Sequence, residues 1–112
     1  MIRVTVTRSY AGHINKLSIK GHAGYADSGQ DIVCAGASAV AQTCVIGLKK
    51  VAGVDPLVTL KNGFFTLALP EGISAKSADR ALCILETAYL GLKDMALSYP
   101  SNIRVRTIKE VL

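Results

Sequence analysis

His22, Asp31, Cys34 and Ser38 fall in one stretch, GHAGYADSGQDIVCAGAS, at residues 21–38. A thiol and an imidazole are the parts of a nucleophile-base pair. The imidazole takes the proton and the sulfur attacks a carbonyl carbon. Asp31 stands directly before an apolar run from Ile32 to Ala52. It suits the N-cap of a helix, where its carboxylate accepts from N–H groups two or three residues on. Cys34 is then the third helical residue. Unpaired N–H groups and the helix dipole favour a negatively charged sulfur there. The same N–H groups, that of Cys34 included, can receive a tetrahedral oxyanion. Cys34, Ser38 and Gln42 step by four, so they share one stripe. The Ser38 hydroxyl can hold the thiol or a substrate carbonyl.

Each residue alone has an ordinary explanation. Buried cysteines are usually small inert hydrophobes. A lone strand-end histidine is more often a surface residue than a base. Ser38 is a small helix residue, and the glycines can serve only the turn. Asp31 is a cap before it is an acid. A carboxylate beside the sulfur opposes its ionisation, and helps only if it points at His22. Co-occurrence is what points to chemistry. Cys44 and Cys83 read as mid-helix residues among apolar neighbours, and His13 as a turn residue without a thiol partner.

The elements that must position these residues follow from periodicity. Residues 2–8 alternate as a half-buried strand, with Ile2, Val4 and Val6 on one face. Residues 14–22 give a second strand, whose period sets His22 opposite the Leu17 and Ile19 face. Residues 23–30 form a glycine-broken loop with turn chemistry at Asp27-Ser28-Gly29. The following helix is apolar on most sides and is expected to be buried. Strands at 57–61 and 64–69 flank Asn62-Gly63, a strong hairpin signal. Ser74 caps a helix over 75–98, with Ala78, Leu82, Leu85, Tyr89, Leu92 and Ala96 as its core face. Pro100 stops it. Residues 102–107 alternate again. The order β-β-α-β-β-α-β predicts an α+β fold, a mainly antiparallel sheet packed with two helices.

The chain has 112 residues, half of them hydrophobic, so one domain over 1–112 is expected. The net charge of +5 points to solubility or to an acidic partner such as RNA. The basic residues are scattered, however, and no aromatic cluster accompanies them. The N-terminus alternates like a strand and is not a secretory signal. No stretch approaches about 18 uninterrupted apolar residues, so no membrane partner is expected. Three cysteines without a CxxC disfavour a disulfide framework and a zinc finger. A metal on His22, Cys34 and Asp31 lacks a fourth ligand, so neither metal nor other cofactor is expected. A reducing cytoplasm is the simplest setting for free thiols.

These motifs resemble the ribosomal-processing cysteine protease family Prp (YsxB-like). The likeness lies in GHAGYA around His22, in G-x-DIVCA at Gly29-Gln30-Asp31-Ile32-Val33-Cys34-Ala35, and in Ser38. Length and element order fit nearly the whole chain, and beyond residue 45 the likeness is of pattern. The resemblance implies a cytoplasmic cysteine endopeptidase with His22 as general base and Cys34 as nucleophile. It makes Asp31, Ser38, Gly21 and Gly29 supporting or substrate-binding residues. It implies that a short N-terminal extension is removed from the precursor of a large-subunit ribosomal protein and that the enzyme is a homodimer; ribosome association is expected from the positive charge, which favours ribosomal RNA nearby. It also makes the loop from Ala23 to Gln30 a mobile cover. One departure is CAGAS, where a bulkier residue is expected near Ala37. Gly36 costs the helix about 1 kcal/mol against alanine, which either loosens the helix start or allows close substrate approach. The alternative is a non-enzymatic ribosome-associated or RNA-binding accessory protein, its basic residues on RNA.

Overall fold

A computed structural model describes residues 1–110. The elements are β1 (Ile2–Arg8), β2 (Ile14–Lys20), α1 (Ile32–Lys50), β3 (Leu57–Lys61), β4 (Phe64–Ala68), α2 (Ala75–Ser98) and β5 (Ile103–Lys109). The expected order of elements and α+β class hold. The strands lie in one sheet ordered β3-β4-β2-β1-β5. Three pairs are antiparallel, and β5 runs parallel to β1. Hairpins explain β1-β2 and β3-β4. The parallel pair arises because α2 carries the chain back across the sheet, as parallel strands require.

Strand alternation divides the sheet. Ile2, Val4, Val6, Leu17, Leu67 and Ile103 are buried on the helix side, in one core with Val33, Ala37, Leu48 and Leu85. The opposite side is uncovered. β3 is an edge strand and is exposed along its length.

Several expectations need correction. β2 ends at Lys20, short of His22, because Gly21 adopts φ +93° and turns the chain out of the ladder. A Cβ at Gly21 would lie 2.5 Å from the Met1 carbonyl oxygen, so only glycine fits this approach. The α1 helix is not buried on most sides. Val33, Ala37, Ala41, Cys44 and Leu48 form its buried stripe, while Ile32 and Ile46 are exposed. By length and composition α1 is apolar enough to cross a membrane, with a mean hydropathy of 1.6 over its best window. In this fold its buried stripe joins the core. In α2 the buried stripe is Ala81, Leu85, Ala88 and Leu92. Tyr89 and Ala96 pack partly buried against the core, and Ala78 and Leu82 are half-buried beside that stripe. Gly36 faces α2, and a Cβ there would lie 3.0 Å from Met95 Cε. Its smallness serves the contact between helices.

Candidate active site

The start of α1 is built by Asp31. Its Oδ1 accepts the backbone N–H groups of Val33 and Cys34, each at 3.0 Å. Its Oδ2 accepts those of Tyr25 at 2.9 Å and Ala26 at 3.2 Å. One carboxylate therefore caps the helix and ties down the first half of the preceding loop. The N–H of Cys34, then those of Ala26, Tyr25 and Val33, hold the Asp31 carboxyl below its ordinary value against the opposing effect of burial. One expectation falls here, and the cap expected of Asp31 holds. The Cys34 N–H is engaged by Asp31, so it is not free to receive an oxyanion. Asp31 spends both oxygens on backbone donors and does not orient His22.

Cys34 lies half-buried in the first turns of α1. The backbone N–H of Ala23 donates to its Sγ at 3.2 Å. Ala23 is held in turn by Asn102, whose Nδ2 donates to the Ala23 carbonyl at 3.0 Å. Tyr25 sets its ring edge-on to Tyr99, with centroids 5.5 Å apart. The first half of the loop is thus anchored from three sides, and residues 27–30 make none of these contacts. Those residues are exposed and close a turn in which Gln30 N–H donates to the Asp27 carbonyl at 2.9 Å.

His22 does not follow the strand period. The turn at Gly21 swings it into the cleft that Cys34 and Ser38 line, a space of about 270 Å³. Its ring rests against the β3-β4 hairpin. A Cβ on Gly63 would lie 2.7 Å from His22 Nε2. Gly21 N–H donates to the Gly63 carbonyl at 2.9 Å. The protein's N-terminal ammonium donates to the His22 carbonyl. His22 is therefore seated by residues distant in sequence. Gly63 is a site-forming residue that the hairpin signal located but did not connect to His22.

Ile19, Ala37, Leu60, Phe64 and Phe65 give the cleft an apolar wall, and Gln42, Lys61 and Asn62 add polar groups to it. Ser38 Oγ accepts from Gln42 Nε2 at 2.9 Å, which leaves its O–H free to donate. Gly29 lies outside this cleft, beside a neighbouring hollow that His22, Cys34, Ser38 and Asp31 also border. Cys44 is buried, and burial pushes its thiol up to about 11. Cys83 is exposed, contrary to the apolar surroundings expected of it. Among the described residues, no group of three His, Cys, Asp or Glu is placed to hold a metal.

Comparison with known proteins identifies the family. The family model for the cysteine protease Prp matches residues 1–104. The ribosomal processing cysteine protease Prp of Bacillus subtilis is 33% identical over 109 residues, covering 96% of this chain and 97% of that one. Its Staphylococcus aureus counterpart is 31% identical over 107 residues, covering 94% and 97%. The crystal structure of S. aureus Prp with a covalently linked product peptide superposes with a TM-score of 0.87 at 30% identity, covering 96% and 99%. The S. aureus structure with a substrate peptide gives 0.81 at 29% identity, again covering 96% and 99%. A chain matched over nearly its whole length in sequence and fold belongs to the cysteine protease Prp family and is a cysteine endopeptidase.

Proposed function

We propose that the chain removes a short N-terminal extension from a large-subunit ribosomal protein, with Cys34 as nucleophile and His22 as general base. The observation that carries this reading is the shared cleft. His22, Cys34 and Ser38 line one space, and the Cys34 sulfur faces the N–H of Ala23. The names of the relatives support the substrate class, and their peptide complexes support a peptide in this cleft.

His22 takes the thiol proton and Sγ adds to the scissile carbonyl carbon. The C–N bond breaks, the leaving amine takes the proton from the imidazolium, and a thioester remains. His22 then takes a proton from water, whose oxygen attacks the thioester. The acid leaves and the thiol is restored. Ser38 O–H is the donor for the substrate carbonyl, since the Cys34 N–H is engaged. Residues 27–30 are the part of the loop that substrate displaces. Asp31 is a positioning residue, and Gly21 shapes the turn that delivers His22. The setting is a reducing cytoplasm. The homodimer forms through the helix layer, where Ile46, Leu90 and Leu97 are exposed, and sedimentation at several concentrations measures it.

The deciding experiment mixes the protein with a ribosomal protein bearing its N-terminal extension and follows intact mass. Wild type makes one cut, and folded Cys34→Ala and His22→Ala variants make none. A cut that persists in Cys34→Ala overturns the mechanism. No cut by wild type overturns the substrate.

A further inference from the structure

No Asp or Glu lies in any strand. The uncovered face of the sheet carries Arg3, Lys16, Lys20, Lys61, Arg104 and Arg106, all exposed. Without these six, the chain's Lys and Arg number one fewer than its Asp and Glu. The entire net positive charge therefore sits on one face.

The register arranges that charge. Lys61, Phe64, Lys20, Arg3 and Arg104 are successive cross-strand partners across the whole sheet. At a strand spacing of about 4.8 Å the row runs about 19 Å. Lys20 faces Arg3 and Arg3 faces Arg104 with no carboxylate between them. Like charges directly opposite destabilise a sheet, so this row is held against its own repulsion. Lys20 Nζ lies 5.1 Å from the Phe64 ring centroid. Among the described residues, none of the six cations is in a salt bridge, and the strand cation that is, Arg8, pairs with Glu86 on α2.

The adjacent row is hydroxylic. It runs Thr59, Thr66, Ser18, Thr5 and Arg106. Arg106 Nε donates to Thr5 Oγ1 at 3.3 Å. A row of cations beside a row of hydroxyls suits a polyanion that also offers hydroxyl groups. Duplex RNA is such a ligand. Its wide, shallow minor groove displays 2′-hydroxyls flanked by phosphates, and it is read by shape.

Other occupants fit less well. A second copy would set the same six cations against themselves. Single-stranded nucleic acid needs several aromatic platforms, and these two rows offer Phe64 alone. A lipid surface needs an apolar face to insert, and the one outward row with exposed apolar residues, Leu57 and Ile108 with half-buried Ala68, is interrupted by Lys16 and Thr7. We propose that this sheet face docks duplex RNA through phosphates and 2′-hydroxyls. The surface lies on the side of the sheet opposite α1 and meets the cleft only at its β3-β4 end, where Lys61 and Phe64 border both.

The test is fluorescence anisotropy with a labelled RNA hairpin of about 16 base pairs, titrated at several salt concentrations. Wild type binds, and the logarithm of its affinity falls by about 0.9 per phosphate contact for each tenfold rise in salt. Arg104→Ala/Arg106→Ala weakens binding and reduces that slope by about 2. Lys49→Ala/Lys50→Ala removes equal charge from the end of α1 and leaves affinity within about twofold of wild type. Thermal melts and unchanged cleavage of a free peptide establish that both variants are folded. Should the alanine pair fail to fold, Arg104→Gln/Arg106→Gln keeps more of each stem and shows the same loss. Absence of binding at low salt overturns the proposal, as does equal loss in both lysine and arginine variants. Equally tight binding to phosphatidylglycerol vesicles or polyglutamate overturns it too.

Discussion

The backbone N–H of Ala23 points at the sulfur of Cys34, 3.2 Å away. The residue after the histidine thus supplies a donor to the proposed nucleophile. The contact joins the end of the β2 segment to the start of α1. Asp31 and Asn102 hold the two sides in place, Asp31 through its four N–H bonds and Asn102 through the Ala23 carbonyl.

Replacing Asp31 with asparagine breaks this arrangement in a pH-dependent way. An amide offers one acceptor oxygen, so it cannot serve both the helix start and the loop. The folded-state Asp31 carboxyl lies below its ordinary value of 3.8. Its contribution to stability is therefore complete above that value and is lost as pH falls toward the folded value. Melting temperatures of wild type and Asp31→Asn are expected to differ most at neutral pH and to converge on acidification. A constant gap across that range contradicts the assignment. Peptidase activity falls in the variant because Cys34 and Ala23 lose their common anchor.

Gly63→Ala is expected to injure the site more than the fold. The added Cβ would meet His22 Nε2 at 2.7 Å, so the imidazole must move. A misplacement on the ångström scale costs about tenfold to a hundredfold in rate. Gly63 also has φ +69°, which strains any other residue by about 1 kcal/mol. Gly53→Ala isolates that strain, because its φ is +67° and nothing lies within 4 Å of its added Cβ. Both variants lose similar stability in denaturant melts, and only Gly63→Ala loses kcat/KM.

The three thiols separate by reactivity once Cys83 is removed. Cys83 is exposed on α2 and reacts without reporting on catalysis. In a Cys83→Ala background, iodoacetamide is expected to modify Cys34 in step with loss of activity. Cys44 stays unmodified in the folded protein, since burial raises its thiol to about 11 and removes it from reagent. Peptide mapping after partial inactivation reads both sites. Early modification of Cys44, or activity that survives full modification of Cys34, contradicts this.

Arg8 and Glu86 test the link between β1 and α2. Their ion pair is partly exposed, so Glu86→Gln costs about 1 kcal/mol or less. Arg8→Ala costs more, because Arg8 also donates to the Gly12 carbonyl at 2.8 Å and lies 5.1 Å from the Tyr89 ring centroid. Urea denaturation measures both. Neither changes cleavage of a short peptide, since neither residue borders the cleft.

What the sequence determined by itself was local. Asp31 and Ser74 mark helix starts because capping is a contact between neighbours, and both cap as expected. Asn62-Gly63 marks a hairpin because φ +69° is required at Gly63 itself. The Cys34-Ser38-Gln42 stripe follows from helix pitch alone, and its last two members are hydrogen-bonded. The tertiary structure decided everything that depends on distant chain. Strand period sets His22 away from the helices, yet the crowded approach of Gly21 to Met1 turns it into the cleft. The parallel pairing of β5 with β1 exists only because α2 crosses the sheet. Basic residues that look scattered along the chain form one row, because register aligns residues from four strands that sequence keeps far apart. Local chemistry names the parts, and long-range packing chooses their partners.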